Sequence, residues 1–457
     1  MTPVETEASL LVSGDWVAIS ADEVVPNSAV AMAGQMVLEV GPTDVLTGKY
    51  PTARQYGGPN RLILPGLINT HTHLFQTFLK GLGQGMLLRP WIRRITTPAA
   101  LAMNERDAYL SAMVGLLEAI RSGTTSVFEY SYAFPDPVLH EAILQAFQDL
   151  GIRGWVGLGI NDSGEAFGVH PALIQPLDEC LARIARLQRQ IRQADPGRIK
   201  LALTPSSMRG LSREGLLRLS DYSRDHDVIL SLHVNETDHD NETTLSRFGM
   251  RAIPWLAQMG LLNPRFLAVH CVQMAEDDVR LLAQTEAGVS HNPVSNMYLG
   301  VGMAPVAKMR AHGVTVGLGS DGAASNNSQN MIETMKVAAL GQRVAQGRPD
   351  VLTANEAVLL ATEGGARTLS QPQQLGVLKP GYQADLVVFR MDMARTIPVH
   401  DPLASIVFSA GEENVETVII GGRVIMENGR FTTVDEEKLL IEAQAAARAL
   451  VERIDMG

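Results

Sequence analysis

Two histidines, two positions apart, follow a short apolar run in the segment LINTHTH at residues 67–73. In an extended strand, residues i and i+2 point to the same face, so the imidazoles of His71 and His73 can approach one point. Imidazole nitrogens are common ligands of zinc and iron, and the spacing therefore predicts half of a metal site. The alternative is a polar strand end whose histidines alternate without binding anything.

Four further candidate residues end later apolar runs in the same way. His233 follows VILSL, His270 follows FLAV, His291 follows GVS, and Asp321 follows TVGLGS. If these runs are parallel strands of one barrel, their C-terminal ends share one rim. We therefore expect the four side chains to converge with the first histidine pair.

Three of these histidines together with Asp321 could bind one metal ion. Three histidines and one carboxylate suit Zn2+ or Fe2+ and leave one coordination position for water. Such an ion lowers the pKa of water toward neutrality, which supplies hydroxide as a nucleophile. Glu236, three residues after His233, is predicted to shuttle protons, and the alternative role is that of a carboxylate at a helix start.

Two residues have alternative roles that the sequence leaves open. We predict that His270 forms a hydrogen bond to the attacking water, and the alternative is a satisfied core histidine. Asp321 is predicted to bind the metal and also to take a proton from the water. Its alternative role is a helix N-cap, but Ser325, Asn326 and Asn327 offer caps nearer to the next helix.

Eight apolar runs, separated mostly by amphipathic helical segments, carry these residues. The runs cover residues 67–73, 124–130, 152–159, 198–205, 228–234, 266–271, 288–293 and 315–321. Alternation of strand and helix is typical of parallel βα units, and eight such units predict an α/β fold with a closed (β/α)8 TIM-like barrel. One helix is predicted from its ends, because Asn104 can cap it and Gly123 can terminate it.

The two ends of the chain have a different pattern. Residues 1–64 and 376–457 contain short β-rich segments such as SLLVSGDWVAI and VETVIIGGRVIMENGRF, followed by a final helix at residues 435–454. We predict that these segments combine into one small β-sandwich. The barrel domain is then expected to cover residues 65–375.

Composition limits the kind of partner and the compartment. The 457 residues carry a formal net charge of -11, which argues against nucleic acid, because phosphate neutralisation requires a basic surface. The only cysteines, Cys180 and Cys271, imply no disulfide framework. The sequence shows no long uncharged apolar run, so we expect a cytoplasmic protein without a membrane partner.

With these motifs identified, the chain resembles the amidohydrolase superfamily. It is most similar to the branch that holds atrazine chlorohydrolase, melamine deaminase and the 8-oxoguanine, pterin and adenosine-type deaminases. The matching segments are LPGLINTHTH, LHVNE, AVHC, SHNPVSN, GLGSDGAASNNS and GYQADLVVF, and they span nearly the whole chain. The resemblance implies one Zn2+, with Fe2+ as the alternative, held by His71, His73, His233 and Asp321. It also implies Glu236 and His270 as the catalytic pair.

The number of metal ions is predicted from a difference between this chain and the binuclear members of the family. Binuclear members use a modified lysine at the end of strand 4, where this chain has LTPSS and where Lys200 lies at the strand's start. A single metal ion is therefore expected.

The reaction implied is hydrolytic deamination of an amino-substituted N-heterocycle, such as a purine, pterin, pyrimidine or s-triazine, with release of ammonia. The alternative within enzymes is hydrolysis of an s-triazine with loss of chloride or an alkylamine. Gly322 stands where the triazine enzymes carry a polar residue, and this favours deamination. A catalytically inactive scaffold is disfavoured by the complete ligand set, and a phosphoesterase or lactonase by the missing strand-4 lysine.

Six residues are predicted to bind the substrate. They are Gln76, Arg89, Trp91, Arg209, His291 and Ser325. Gln76 matches a substrate-facing position of the family, and the two arginines are predicted to reach the polar edge of the ring, with a surface position as the alternative. The expected partners are the heterocycle and water, and dimers or tetramers are common in the family, so a homo-oligomer is expected.

Overall fold

A computed structural model describes residues 7–194 and 197–454. The described residues form sixteen strands in two sheets of eight. The strands are β1 (Leu10–Ser20), β2 (Glu23–Ala33), β3 (Met36–Pro42), β4 (Arg54–Pro65), β5 (Leu67–Thr72), β6 (Thr124–Glu129), β7 (Arg153–Ile160), β8 (Ile199–Pro205), β9 (Ile229–Val234), β10 (Phe266–His270), β11 (Gly288–His291), β12 (Val316–Leu318), β13 (Leu386–Arg390), β14 (Val415–Ile420), β15 (Arg423–Glu427) and β16 (Arg430–Phe431).

Strands β5 to β12 form the barrel, and each overlaps one of the eight predicted runs. Neighbouring strands pair in parallel and in chain order from β5 to β12. Nearly every residue of these strands is buried, as expected of strands covered on both faces. The predicted barrel is confirmed.

Helices surround the barrel and connect its strands. They are α1 (Thr43–Lys49), α2 (Leu88–Trp91), α3 (Thr97–Ala102), α4 (Glu105–Arg121), α5 (Val138–Leu150), α6 (Leu177–Ala194), α7 (Arg213–His226), α8 (Asp238–Phe248), α9 (Ala252–Gln258), α10 (Glu276–Thr285), α11 (Pro293–Tyr298), α12 (Val306–Ala311), α13 (Ala323–Asn326), α14 (Met331–Gln346), α15 (Ala354–Leu359), α16 (Gly365–Thr368), α17 (Pro402–Phe408) and α18 (Glu436–Arg453). Short 3-10 turns cover Leu74–Leu79, Glu165–Phe167, Pro171–Leu173 and Glu412–Asn414, and π-turns cover Ile92–Thr96 and Leu360–Gly364.

The predicted ends of α4 are confirmed. Asn104 Oδ1 accepts a hydrogen bond from the Asp107 N–H at 3.0 Å, and Asp107 Oδ2 accepts one from the Asn104 N–H at 3.0 Å. This reciprocal pair is a capping box, which satisfies two backbone donors that the first turn of a helix leaves free. At the other end, Gly123 has φ +86°, a conformation that glycine adopts without a steric penalty.

The terminal segments combine into the second sheet, as predicted. Its strand order is β16-β15-β14-β13-β4-β1-β2-β3, with β1 and β4 parallel and the other neighbours antiparallel. The sheet curls so that Met36 at the start of β3 meets Gln383, just before β13. Its inner face buries aliphatic side chains from both chain ends, including Val30, Ile63 and Leu386. The domain limits at residues 64 and 375 remain a prediction.

A buried ion pair joins the two sheets. Arg153, at the start of β7, donates from Nε and Nη2 to the two carboxylate oxygens of Asp385 at 2.7 and 3.0 Å. Both side chains are almost fully buried. Two parallel hydrogen bonds fix the relative orientation of the groups that they join, so this pair sets the barrel against the terminal sheet.

Residues 7–194 and 197–454 include no helix with the length and apolar character needed to cross a lipid bilayer.

Candidate active site

Five predicted residues meet at the C-terminal end of the barrel. The ligand atoms of His71, His73 and Asp321 all lie within 4.8 Å of one another, and those of His71, His233 and His270 do so as well. His71 Nε2 is 3.3 Å from Asp321 Oδ1, and His73 Nε2 is 3.3 Å from His233 Nε2. His71 and His73, two positions apart on one strand, therefore direct their imidazoles to the same cluster, as predicted.

Backbone carbonyls fix the orientation of two of these imidazoles. His73 Nδ1 donates to the Tyr130 carbonyl at 2.6 Å, and His233 Nδ1 donates to the Ser206 carbonyl at 3.0 Å. Because a carbonyl can only accept, each Nδ1 carries the proton and each Nε2 presents a lone pair to the cluster. Burial lowers the pKa of His73 to about 3 and that of His233 well below its ordinary value, so both rings are neutral ligands.

The hydrogen bonding of His71 also supports a metal ion at this cluster. His71 is fully buried, and in the described part of the chain its Nδ1 has no hydrogen-bond partner, while its Nε2 faces Asp321 Oδ1 at 3.3 Å without forming a hydrogen bond. A buried nitrogen without a partner costs free energy, and a metal ligand bond removes that cost. Burial alone would raise the pKa of Asp321, but His71, His270 and His73 hold it well below its ordinary range, so its carboxylate is available to a cation.

Three strand ends at this rim have left-handed backbone conformations. Asn235, His270 and Asp321 have φ of +54°, +74° and +62°. Each costs roughly 1–2 kcal/mol for a residue with a side chain, and such strain concentrates at functional sites. The sharp turns that follow β9, β10 and β12 bring the predicted catalytic side chains over the end of the barrel.

Glu236 and His270 lie beside the ligand cluster. His270 Nε2 is 3.8 Å from Glu236 Oε2 and 4.0 Å from Asp321 Oδ2. His270 Nδ1 donates to Asn296 Oδ1 at 2.9 Å, which leaves Nε2 facing the two carboxylates. Burial raises the pKa of Glu236 to about 7, so this carboxyl can gain and lose a proton near neutral pH.

A cavity of about 1000 Å³, including its open mouth, lies over this cluster. Among the residues predicted to bind substrate, five line the cavity: Gln76, Arg89, Trp91, Arg209 and Ser325. Gln76, Trp91 and Ser325 are buried, Arg209 is half-buried and Arg89 is exposed. The cavity therefore joins the predicted proton-transfer groups to most of the predicted substrate contacts.

His291 is the exception. Ser290 and Asn292 face the barrel interior, where Ser290 Oγ lies 2.7 Å from Thr70 Oγ1 and Asn292 Nδ2 lies 3.4 Å from His270 Nδ1. His291 stands between them in sequence, so strand alternation turns its side chain toward the surrounding helices. It is fully buried and does not line the cavity. The structure thus does not bring His291 to the other predicted substrate contacts.

Gly322 leaves room for Gln76. A Cβ atom at position 322 would lie 1.9 Å from Gln76 Oε1. Any side chain there would therefore displace the amide of Gln76 from its buried position. This contact gives a physical reason for a glycine at position 322.

Two functional positions escaped the sequence analysis although their motif, SHNPVSN, was recognised. Ser295 Oγ donates to Asp321 Oδ2 at 2.5 Å, and Asn296 orients His270 as described above. Both belong to α11, which begins at Pro293, and proline favours the first position of a helix. The proline could have indicated that the first turn of a helix lies next to the site. His170 and His239 also line the cavity.

Glu129, at the end of β6, is packed against the site without lining the cavity. Its carboxylate accepts hydrogen bonds from the Leu74 N–H at 2.8 Å and from Ser131 Oγ at 3.1 Å. Leu74 begins the 3-10 turn that follows His73. Glu129 therefore holds the backbone between His73 and Gln76 in place.

The raised pKa of Glu129 makes the free energy of unfolding depend on pH. Burial raises its pKa from 4.5 to about 8. The stabilisation is complete below pH 4.5, where both states are protonated, and is lost as the pH rises toward 8, because the unfolded chain ionises first. The loss is on the order of 4 kcal/mol. We expect the denaturant midpoint to fall between pH 5 and 8 less steeply in Glu129→Gln than in the wild type, and equal slopes would contradict this assignment.

Comparison with known proteins agrees with this geometry. The pattern of the amidohydrolase family matches residues 62–425. The chain is 35% identical over 425 residues to a 5-methylthioadenosine/S-adenosylhomocysteine deaminase of Desulforudis audaxviator, which covers 93% of this chain and 95% of that protein.

Two solved structures have the same fold over nearly their whole length. An adenosine deaminase from Xanthomonas campestris with bound zinc has a TM-score of 0.91 and 27% identity, covering 98% of this chain and 99% of that one. Atrazine chlorohydrolase from Arthrobacter aurescens, complexed with zinc, has a TM-score of 0.89 and 25% identity, covering 96% and 100%.

Proposed function

The chain belongs to the amidohydrolase family and is a metal-dependent hydrolase of C–N bonds, and from this premise we propose that it deaminates an adenine nucleoside modified at its 5′ position. The observation that carries the proposal is the cluster of three histidines and an aspartate beside the pair Glu236 and His270. The similarity to deaminases of adenosine derivatives supports the adenine ring. The atrazine chlorohydrolase is a more distant relative, so dechlorination is the second candidate.

We propose a single Zn2+, with Fe2+ as the alternative, held by His71, His73, His233 and Asp321. When bound, the ion lowers the pKa of water and so supplies a hydroxide nucleophile at neutral pH. The zinc bound in the similar adenosine deaminase supports the choice of metal.

Glu236, His270 and Asp321 would transfer the protons of the deamination reaction. Water adds to the ring carbon that bears the amino group, and Glu236, with its pKa near 7, delivers a proton to the adjacent ring nitrogen. His270 and Asp321 orient the attacking water and accept its proton. The proton taken from the water then passes to the amino nitrogen, and the bond between that nitrogen and the ring carbon breaks. The remaining hydroxyl proton returns to Glu236, so ammonia and the 6-oxo product leave.

An outer cavity provides space for a substituent at the 5′ position of a bound nucleoside. It measures about 1830 Å³ with its open mouth and shares Arg89, His170 and Arg209 with the inner cavity. Arg93 lines only the outer cavity. A nucleoside whose base reaches Glu236 therefore has space for a longer 5′ group.

The identity of the substrate ring is tested by measuring ammonia release from a panel of compounds. The panel contains adenosine, 5-methylthioadenosine, S-adenosylhomocysteine, 5′-deoxyadenosine, guanine, pterin, cytosine and melamine. We expect turnover of the adenine nucleosides, with loss of activity after chelation. Chloride release from atrazine without ammonia release from any nucleoside would favour the second candidate.

Arg93 and Arg94 offer a matched test of the outer cavity. Both are exposed neighbours on one helical turn, but only Arg93 lines the cavity. We expect Arg93→Glu to raise KM for S-adenosylhomocysteine, which carries a carboxylate, by about 3- to 10-fold, and to leave KM for the uncharged 5-methylthioadenosine unchanged. Arg94→Glu should change neither value. Equal effects of the two variants would contradict a specific contact.

The resemblance implies a dimer or tetramer, and the oligomeric state stays a prediction. Light scattering coupled to size-exclusion chromatography measures it directly. A monomer of 49.4 kDa would contradict it.

A further inference from the structure

The barrel closes at a seam between β5 and β12, which are the two ends of its hydrogen-bonded strand order. At the top of this seam, the Asp321 N–H donates to the His71 carbonyl at 2.9 Å. The strand end at His71 and His73 and the strand end at Asp321 therefore meet where the sheet has fewest ladder bonds. Other groups must hold the ends of these strands in register.

A network of buried side chains spans this seam, and Gln329 is at its centre. Gln329 lies between α13 and α14 and is fully buried. Its Oε1 accepts from Thr72 Oγ1 on β5 at 2.8 Å and from Ser320 Oγ beyond β12 at 2.8 Å. Its Nε2 donates to the Asp321 carbonyl at 3.1 Å. One amide thus bonds to both sides of the seam.

The orientation of this amide is determined by its partners. The Asp321 carbonyl can only accept, so the NH2 group must face it, and Oε1 must face the two hydroxyls. Ser320 Oγ in turn accepts from Asn69 Nδ2 at 2.8 Å, which directs its own proton to Gln329. Every member has a suitable partner, and such complete buried networks hold one arrangement rigidly.

We infer that Gln329 is a positioning residue, which holds Asp321 and the end of β5 in the geometry that the proposed metal site requires. The left-handed conformation of Asp321 is unfavourable by itself, and the bonds to its carbonyl and N–H stabilise it. The inference rests on the proposed metal site. Gln329 does not line the cavity and bonds to no ligand side chain, so it acts through its four partners. These are Thr72, Ser320, the Asp321 carbonyl and Asn69, whose Nδ2 donates to Oε1 at 3.5 Å.

Two variants and one matched control test this role. Gln329→Met keeps the length of the side chain and removes both polar groups. Thr72→Val keeps the shape of the side chain and removes one hydroxyl. Thr70→Val is the control, because Thr70 lies on the same strand, is equally buried and bonds to Ser290 rather than to the network.

Three quantities are measured in zinc-loaded protein and its metal-free form: the rate of zinc loss to a chelator, kcat against KM, and the thermal midpoint of the metal-free protein. We expect Gln329→Met and Thr72→Val to lose zinc about 10- to 100-fold faster and to lower kcat with KM changed less than about 2-fold. Thr70→Val should lose zinc at the wild-type rate, although its thermal midpoint falls by a similar amount.

A lowered thermal midpoint in Gln329→Met together with wild-type zinc loss and kcat would overturn the inference, because the residue would then serve stability alone. If Gln329→Met does not fold, Thr72→Val decides by the same comparison. Zinc loss is independent of the substrate, so an error in the proposed reaction would leave this test valid.

Discussion

We expect Glu236→Gln to lower kcat for ammonia release by about 10²- to 10⁴-fold while the protein keeps its metal content. Glutamine has nearly the same shape as glutamate, but it cannot take a proton from water and deliver it to the ring. The carboxyl of Glu236 lies 3.8 Å from His270 Nε2, and burial raises its pKa to about 7. Steady-state kinetics with a metal assay on the same sample measures both quantities.

Glu129→Gln is the matched control for this experiment. Glu129 is also a buried carboxyl near the site with a raised pKa, but it does not line the cavity. The glutamine oxygen can still accept from the Leu74 N–H, and its NH2 can donate to Ser131 Oγ, so the backbone near His73 keeps its support. We therefore expect kcat of Glu129→Gln to stay within a few-fold of the wild type. Full turnover in metal-loaded Glu236→Gln would remove the proton-transfer role, whereas equal losses in both variants would point to a general effect on the fold.

The second large effect is expected for His71→Ala, which should lose its bound metal and at least about 10³-fold of its turnover. His71 is fully buried, and its two ring nitrogens have no hydrogen-bond partner among the described residues. Its ligand atom lies within 4.8 Å of those of His73 and Asp321. Removal of a ligand at the centre of the cluster therefore breaks the whole set.

His291→Ala separates metal loss from the loss of a buried side chain. His291 has the same burial and the same lack of partners as His71, but it lies outside the cluster and the cavity. Both variants create a cavity of similar size, which costs about 2–5 kcal/mol. We expect His291→Ala to keep its metal. Metal loss in both variants, or in neither, would contradict the proposed ligand set.

The sequence predicted the barrel and the convergence of the strand-end histidines with Asp321 because strand periodicity determines both. Each apolar run became a strand, and parallel strands in a barrel bring their C-terminal ends together. His71 and His73 followed from alternation alone. His291 shows where this logic was incomplete, because a residue at a strand end still faces inward or outward according to register. The inward positions of Ser290 and Asn292 decide its orientation.

The supporting contacts could not be predicted in the same way. Ser295 and Gln329 reach Asp321 from α11 and from the segment before α14, and these contacts depend on how helices pack on the barrel. The left-handed conformation of Asp321 likewise gives no signal in the sequence. Substrate contacts such as Arg209 depend on loops, whose conformation local patterns determine least.

The most direct test is to incubate protein of assayed metal content with 5-methylthioadenosine and to quantify ammonia and the 6-oxo nucleoside together. We predict equal amounts of the two products, formed at a rate that rises with metal occupancy and is abolished by chelation. A fully metal-loaded protein that leaves 5-methylthioadenosine, S-adenosylhomocysteine and 5′-deoxyadenosine unchanged would contradict the proposal that it deaminates 5′-modified adenine nucleosides.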